Sequence, residues 1–419
     1  MLRAVKIRLY PNNEQAMMIN KLLGCYRVVY NQCLARKIKS YKETKTTENL
    51  STLGKFVHNE LLKDDNFIWL REQNTKVLKQ AVRDMLTAYK NFFERHTGYP
   101  KFKSKHDNEQ SCRFEIGTIS KRNDYTTYRI SLANIRNVKF RCNDKYAQYL
   151  QKHRDNIRQA TLTKLPCGEY YLSVLVDGDL THKVKKTNSA VGIDLGIKNF
   201  VITSDGEVFD NLHFKKTETK KIKKLQRQLS KKQKGSNNRN KARVKLAKLY
   251  KKINDRKQYY LHVVSNSLID ENQVICMEDL NVKGMVKNHN LAESISEMNF
   301  GEFRRMLEYK ALWYNRKIVF VDRFYPSSKT CNNCGYISKE LKLNDRQWVC
   351  PQCGEVIERD YNAALNILNE GLRIIGCSTS EFTLVDYPTV DDILSDEALK
   401  SCGRLKQEVN NEQISLFKF

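Results

Sequence analysis

Ala190-Val191-Gly192-Ile193-Asp194-Leu195-Gly196 reads as a buried β-strand carrying a single acid. A lone carboxylate inside such a strand is costly unless a cation meets it, so Asp194 stands apart from the other acids among the chain's 47. Outward from it, Phe200-Val201-Ile202-Thr203 makes a second strand, and Ser204-Asp205-Gly206-Glu207 is a hairpin signal leading to a third. Gln273-Val274-Ile275-Cys276-Met277 is a further apolar strand, ending at Glu278-Asp279. A helix over about 299–316 then leads into Lys317-Ile318-Val319-Phe320-Val321.

A β-meander followed by alternating helices and strands predicts an RNase H-like α/β domain. Asp360 opens one more helix, Tyr361-Asn362-Ala363-Ala364-Leu365-Asn366-Ile367-Leu368. Carboxylates from two strand ends and one helix start, here Asp194, Glu278 and Asp360, can converge on a pair of Mg²⁺ ions. Such ions activate water and stabilise the leaving oxygen in phosphodiester cleavage.

Cys331-Asn-Asn-Cys334-Gly335 and Cys350-Pro-Gln-Cys353-Gly354 form two matched CxxC pairs, each followed by glycine. Four thiolates at this spacing close a tetrahedron around Zn²⁺. A saturated Cys₄ site has no open position, so this zinc is structural, not the catalytic metal. Of the 12 cysteines, the other eight (Cys25, Cys33, Cys112, Cys142, Cys167, Cys276, Cys377 and Cys402) have no framework spacing, which suits a reducing cytosol.

The chain has 419 residues with 74 Lys+Arg against 47 Asp+Glu, a net charge of +27. Its hydrophobic share of 40% is that of folded domains, so the excess charge points to a polyanion-binding surface and not to a basic disordered protein. No run approaches the 18 apolar residues of a membrane span, and the charged start lacks a signal-peptide core, which predicts no membrane partner. Residues 377–419 carry a net −4, leaving +31 on residues 1–376. Residues 214–260 alone hold 19 Lys+Arg and two acids. Their spacing predicts an antiparallel helical hairpin broken at Gly235-Ser236-Asn237-Asn238. Lys223, Lys224, Arg227 and Lys231 on its first helix, with Arg239 and Arg243 on its second, are the expected nucleic-acid contacts.

At the N-terminus, Val5, Ile7 and Leu9 alternate with polar residues as in a half-buried strand, ended by Pro11-Asn12-Asn13. Helical patterns run to about residue 95, the clearest following Asn74-Thr75, and short strands return between about 113 and 182. A small β-barrel with a helical insertion between its first and second strands is the simplest architecture.

Four blocks carry a specific resemblance: Val191-Gly192-Ile193-Asp194-Leu195-Gly196, Met277-Glu278-Asp279-Leu280-Asn281-Val282-Lys283-Gly284-Met285, Ser327-Ser328-Lys329-Thr330-Cys331-Asn332-Asn333-Cys334-Gly335 and Arg359-Asp360-Tyr361-Asn362-Ala363-Ala364. Together with Leu9-Tyr10-Pro11 and Gly98-Tyr99-Pro100-Lys101-Phe102 they resemble TnpB, the OrfB-type insertion-sequence protein akin to compact type V CRISPR effectors. The resemblance implies an RNA-guided DNA endonuclease with Asp194, Glu278 and Asp360 as catalytic, Mg²⁺-binding carboxylates. Asp279, next to Glu278, is expected to point the other way and to be structural. Glu358 takes the place of an acid the family often has two residues before the last catalytic Asp, a mild departure. Lys76 and Gln80, one turn apart, are the implied contacts to the DNA motif beside the target. Implied partners are a guide RNA from the element's own transposon end and double-stranded target DNA, met in the prokaryotic cytosol at the nucleoid.

The expected organisation is multidomain α+β. Residues 1–12 and 113–185 form a β-barrel wedge and 13–112 a helical recognition insertion. Residues 186–325 and 355–376 form a RuvC-like nuclease domain of RNase H fold, 326–354 a Cys₄ zinc ribbon inserted in it, and 377–419 an acidic, disordered tail. Three alternatives stay open: a compact type V CRISPR effector, a guided repressor that no longer cuts, and a DNA-strand-transfer enzyme.

Overall fold

The computed structural model describes residues 2–107, 109–178, 184–185, 187–287, 292–342 and 345–376. The tail expected at 377–419 lies outside them. The chain divides into two units, one of residues 1–181 and 237–248, the other of 182–236 and 249–419.

In the first unit, β1 (Leu2–Tyr10) buries Val5, Ile7 and Leu9 as its alternation predicts. Pro11 ends it, and Asn12 with Gln15 makes a capping box that starts α1 (Asn13–Thr44). After α2 (Leu50–Phe56) and a 3₁₀ turn over Asp65–Glu72, Asn74 caps α3 (Thr75–Arg95), whose face of Val77, Leu78, Ala81, Val82 and Met85 is fully buried. Then follow β2 (Gln110–Glu115), β3 (Arg129–Leu132), β4 (Ile135–Arg141), α4 (Asp144–Lys152), β5 (Ile157–Lys164) and β6 (Tyr170–Asp177). Gly168, at φ +85°, turns β5 into β6.

The six strands form one sheet in the order β2-β5-β6-β1-β4-β3, with every pair antiparallel. Its edges meet: Ile119, just past β2, bridges Leu132 of β3, and the Ala133 N–H reaches the Thr118 carbonyl at 2.7 Å. Two features differ from the sequence expectation. The sheet resumes at Gln110, inside the expected helical insertion, and α1 and α3 share one core with the strands, Leu22, Tyr26 and Val77 packing in the same cluster as Ile7, Phe114 and Phe140. The helices are the sheet's cover, because an open sheet face this apolar must be buried against something.

The second unit opens with a meander of β7 (Ala190–Leu195), β8 (Asn199–Thr203) and β9 (Val208–Asp210). Then come α5 (Phe214–Thr217), α6 (Thr219–Ser230), α7 (Asn237–Glu271), β10 (Val274–Glu278), α8 (Val282–Met285), α9 (Ala292–Met298), α10 (Phe300–Tyr314) and β11 (Lys317–Val321). A short hairpin of β12 (Gln347–Val349) and β13 (Val356–Glu358) leads directly into α11 (Arg359–Ile374). The sheet order is β11-β10-β7-β8-β9, with β10 parallel to both β11 and β7 and the meander antiparallel. One face packs on Leu261, Val264 and Leu268 of α7 and on Phe300, Phe303 and Met306 of α10. The other face meets α11 through Val274, Cys276, Val319 and Ile367. Because β13 pairs with β12, the cysteine-bearing hairpin runs past the expected boundary at 354 to Glu358.

The basic hairpin also differs from expectation. Gln226 Nε2 to the Tyr250 hydroxyl (3.1 Å) and Arg256 to Glu218 (3.4 Å) show α6 antiparallel to the middle of α7. But α6 has 12 residues and α7 has 35, so the first turns of α7 outrun their partner, and residues 237–248 group with the first unit. Among the described residues no helix is long and apolar enough to cross a membrane.

Candidate active site and cysteine cluster

β7 and β10 are parallel neighbours with Met277 opposite Ile193, so Asp194 and Glu278 come next, side by side, at the two carboxyl ends. Alternation decides their direction. Val191, Ile193, Ile275 and Met277 enter the core beneath α7 and α10, while Val274 and Cys276 face α11. Asp194 and Glu278 share the parity of the second set and therefore face α11. That helix lies against the strands at backbone distance: a methyl on Gly192 would sit 2.1 Å from the Ala364 carbonyl oxygen, and one on Gly371 would sit 2.3 Å from Cys276 Sγ. Asp360, in the first turn of α11, is brought to the strand ends by this contact.

Burial, then the neighbouring charges of Glu278 and Asp360, push the Asp194 carboxyl up from 3.8 to about 7, with Arg359 opposing. Burial also raises Glu278, opposed by the hydrogen bond that Ser327 Oγ donates to its Oε1. Asp360 is placed differently: Arg346 Nη1 holds one oxygen at 2.8 Å and Arg359 Nη2 the other at 2.8 Å. Asp279 points to the opposite face, where Arg304 and Arg323 pair with it and hold its carboxyl below the usual range.

The donor set fits a hard divalent cation, since burial resists the charged forms of both Asp194 and Glu278 and a cation relieves that penalty. The three carboxylates interact electrostatically but are not gathered to ligand distance. Among the described residues, only the cysteines bring three or more candidate ligand atoms within 4.8 Å of one another.

Those cysteines are Cys331, Cys334, Cys350 and Cys353. The two CxxCG turns are built alike. Gly335 donates to the Cys331 carbonyl and Gly354 to the Cys350 carbonyl, each at 2.9 Å, and both glycines take the left-handed φ of about +75°. Each turn aims two sulfurs inward, giving Sγ–Sγ distances of 3.7 Å for Cys331–Cys353 and 3.5 Å for Cys334–Cys350. Four thiols so gathered fit a tetrahedral zinc.

Three family profiles match the chain: "Probable transposase" (OrfB of IS605) over residues 171–289, "Cas12f1-like, TNB domain" over 300–367, and "Helix-turn-helix domain" over 1–46. A Streptomyces pristinaespiralis protein named "Putative RNA-guided DNA endonuclease" is 35% identical over 376 residues, covering 90% of each chain. The chain belongs to the OrfB/TnpB family. Within it, the Escherichia coli relative InsQ, which bears the same name, is 29% identical over 90% of this chain and 94% of its own. The protein of a solved Cas12f1–sgRNA–target DNA complex shares the fold, with a TM-score of 0.54 at 15% identity over 88% of this chain and 99% of that one. The helix-turn-helix description falls on β1 and the single helix α1, which form no such motif.

The TnpB-type resemblance implied DNA contacts at Lys76 and Gln80. Lys76 is exposed and lines a groove of about 730 Å³ with Lys55, His58, Lys79 and Arg83. Gln80 does not join it: the side chain is buried and Arg83 Nη1 donates to its Oε1 at 3.2 Å. Residue spacing placed Gln80 one turn from Lys76, but the packing of α3 turns its face inward, and Lys79 and Arg83 stand at the groove instead. Lys223, Lys224, Arg227 and Lys231 line one groove on α6 together with Lys220. Arg239 and Arg243 lie on the part of α7 that groups with the first unit, where Arg243 and Lys105 add to burial in lowering the Lys164 ammonium. The contacts that Ser327 makes to Glu278 and Arg346 makes to Asp360 escaped the sequence reading. Ser327 lies in a quoted block, yet only the fold shows which acid it meets.

Proposed function

We propose that this protein is an RNA-guided DNA endonuclease encoded by a transposable element, cutting double-stranded DNA beside a short adjacent motif by Mg²⁺-dependent hydrolysis. The observation that carries the reading is the arrangement of Asp194, Glu278 and Asp360 on one side of a mixed sheet, with the Asp194 carboxyl pushed to about 7. A sheet of order β11-β10-β7-β8-β9 flanked by α7, α10 and α11 supports a RuvC-like, RNase H-type nuclease domain. Asp194, Glu278 and Asp360 would hold Mg²⁺, which when bound supplies charge stabilisation and an activated water. Ser327 orients Glu278, Arg346 and Arg359 hold Asp360, and Asp279 is kept out of the site by its own arginines.

The cysteine hairpin, loaded with Zn²⁺, is a structural ribbon. The relatives' names and the cationic grooves on α3 and α6 support a guide RNA from the transposon end and a DNA target as partners. Base pairing would supply the sequence choice, and the cytosol beside the nucleoid is the expected place of work. The test is cleavage of a guide-matched plasmid flanked by a randomised motif, using protein purified with its own RNA. Linear product that requires Mg²⁺ and vanishes with Asp194→Ala is the expected result. An intact plasmid under every flank, with RNA bound, refutes the nuclease reading, and joined DNA products would mark strand transfer.

A further inference from the structure

α11 carries three asparagines, Asn362, Asn366 and Asn369, spaced four and three apart on one stripe. Asparagine is a poor helix former, and Asn362 and Asn366 are buried, so this stripe must have partners. All of them lie in the segment entering the first CxxC turn. Asn366 Nδ2 donates to the carbonyls of Ser327 (2.8 Å) and Thr330 (2.6 Å). Asn362 Nδ2 donates to the Thr330 carbonyl (2.7 Å) while its Oδ1 accepts the Asn332 N–H (2.9 Å). Asn369 Nδ2 donates to Asn332 Oδ1 at 2.7 Å. The opposite side of the same helix, with Ala364 and Ile367, lies on the sheet.

The segment so held delivers one side chain to the carboxylates. Ser327 is itself buried, its backbone carbonyl is fixed by Asn366, and its hydroxyl donates to Glu278. We infer that Ser327 is a positioning residue for Glu278, and that the asparagine stripe of α11 makes the cysteine ribbon part of the acid site's scaffold. The inference rests on the nuclease reading for what Glu278 does. Its physical content is narrower: the joint Asn366–Ser327–Glu278 sets the direction of one carboxylate, so cutting the joint weakens the hold on a divalent cation while the DNA-binding surface stays as it was. Partners one shell out from a ligand are worth roughly 10–100-fold in metal affinity.

The experiment uses full-length, zinc-loaded protein with Mn²⁺ as the probe, its free concentration read by electron paramagnetic resonance, alongside target-DNA binding and the Mg²⁺ midpoint of cutting. Ser327→Ala is expected to lower Mn²⁺ affinity and raise the Mg²⁺ midpoint about tenfold, with zinc content and DNA binding unchanged; Ser327→Thr restores both. Asn366→Ala, checked for one zinc per chain, is expected to act in the same direction and more weakly. Unchanged Mn²⁺ affinity in Ser327→Ala, while Asp194→Ala abolishes it, overturns the inference and leaves the nuclease reading standing. If Asp194→Ala also binds Mn²⁺ as the parent does, the acid site itself is misassigned.

Discussion

The second unit holds two sets of candidate metal ligands, four cysteines and three carboxylates, and they are assembled in opposite ways. The cysteines come from two local turns of like build, and their sulfurs lie within 4.8 Å of one another. The carboxylates come from residues 194, 278 and 360, two strand ends and a helix start, and two of them are held by side chains distant in sequence: Ser327 on Glu278 and Arg346 on Asp360, while burial acts on Asp194. A local cluster is fixed by spacing, whereas a dispersed one depends on every contact that docks α11. That difference makes the acid site the more fragile of the two.

The sharpest break is at the acids. Asp194→Ala is expected to lower the cutting rate by at least about 10³-fold while target binding persists, read by gel assay and filter binding on the same preparation. Retained cutting would remove Asp194 from the site. Next is the ribbon. A zinc chelator, or Cys331→Ser, should unfold the hairpin, seen as a change in the emission of Trp348, and should cost cutting along with it. An unchanged Trp348 signal with the metal stripped would show that the turns hold themselves.

Gly192→Ala probes the docking of α11, because the added methyl meets backbone and not a movable side chain. A loss of roughly 1–3 kcal/mol in chemical denaturation is expected, with the helix displaced and cutting reduced. Full stability would mean that α11 can back away at little cost.

The pH dependence separates Asp194 from the cysteines. Its folded pKa of about 7 lies above the ordinary 3.8, so between those values the folded chain holds a proton that the unfolded chain has lost. Metal-free stability therefore falls as pH rises from about 4 to about 7, with the raised Glu278 acting in the same sense, and Asp194→Asn should remove the Asp194 share of that fall, leaving the variant more stable at pH 8 by about 1–3 kcal/mol and level with the parent below pH 4. Parallel melting curves across this range would show that Asp194 ionises freely. The smallest effect is expected on α6: replacing Lys223, Lys224 and Arg227 by alanine should reduce the salt slope of nucleic-acid binding by about 2–3 without changing sequence preference.

Much of the fold is legible because its signals are local. Val5, Ile7 and Leu9 announce β1, Asn74 announces the start of α3, and the apolar runs at 190–195 and 274–278 are the central strands. What local pattern could not show is which neighbour an element finds. Gln80 looked exposed because helical spacing says nothing about Arg83 folding over it. The basic hairpin looked like one object because charge runs through both helices, but α6 is too short to accompany α7 along its length. The expected boundary at 112 cut β2 in two because six residues with only Cys112 and Phe114 buried are a weak signal.

The sequence alone determined the two matched CxxCG pairs, the strand that holds Asp194 and the basic character of residues 214–260, since spacing, periodicity and charge are properties of neighbours along the chain. Only the tertiary structure decided that Asp194 and Glu278 share a side of the sheet, and that Arg304 and Arg323 pair with Asp279 on the other. It also decided that Gly192 and Gly371 let α11 down onto that side with Asp360 in its first turn, and that Ser327 reaches Glu278. These are relations between residues 25 or more positions apart, and they exist only once parallel pairing and close backbone packing have brought strand ends and helix start together.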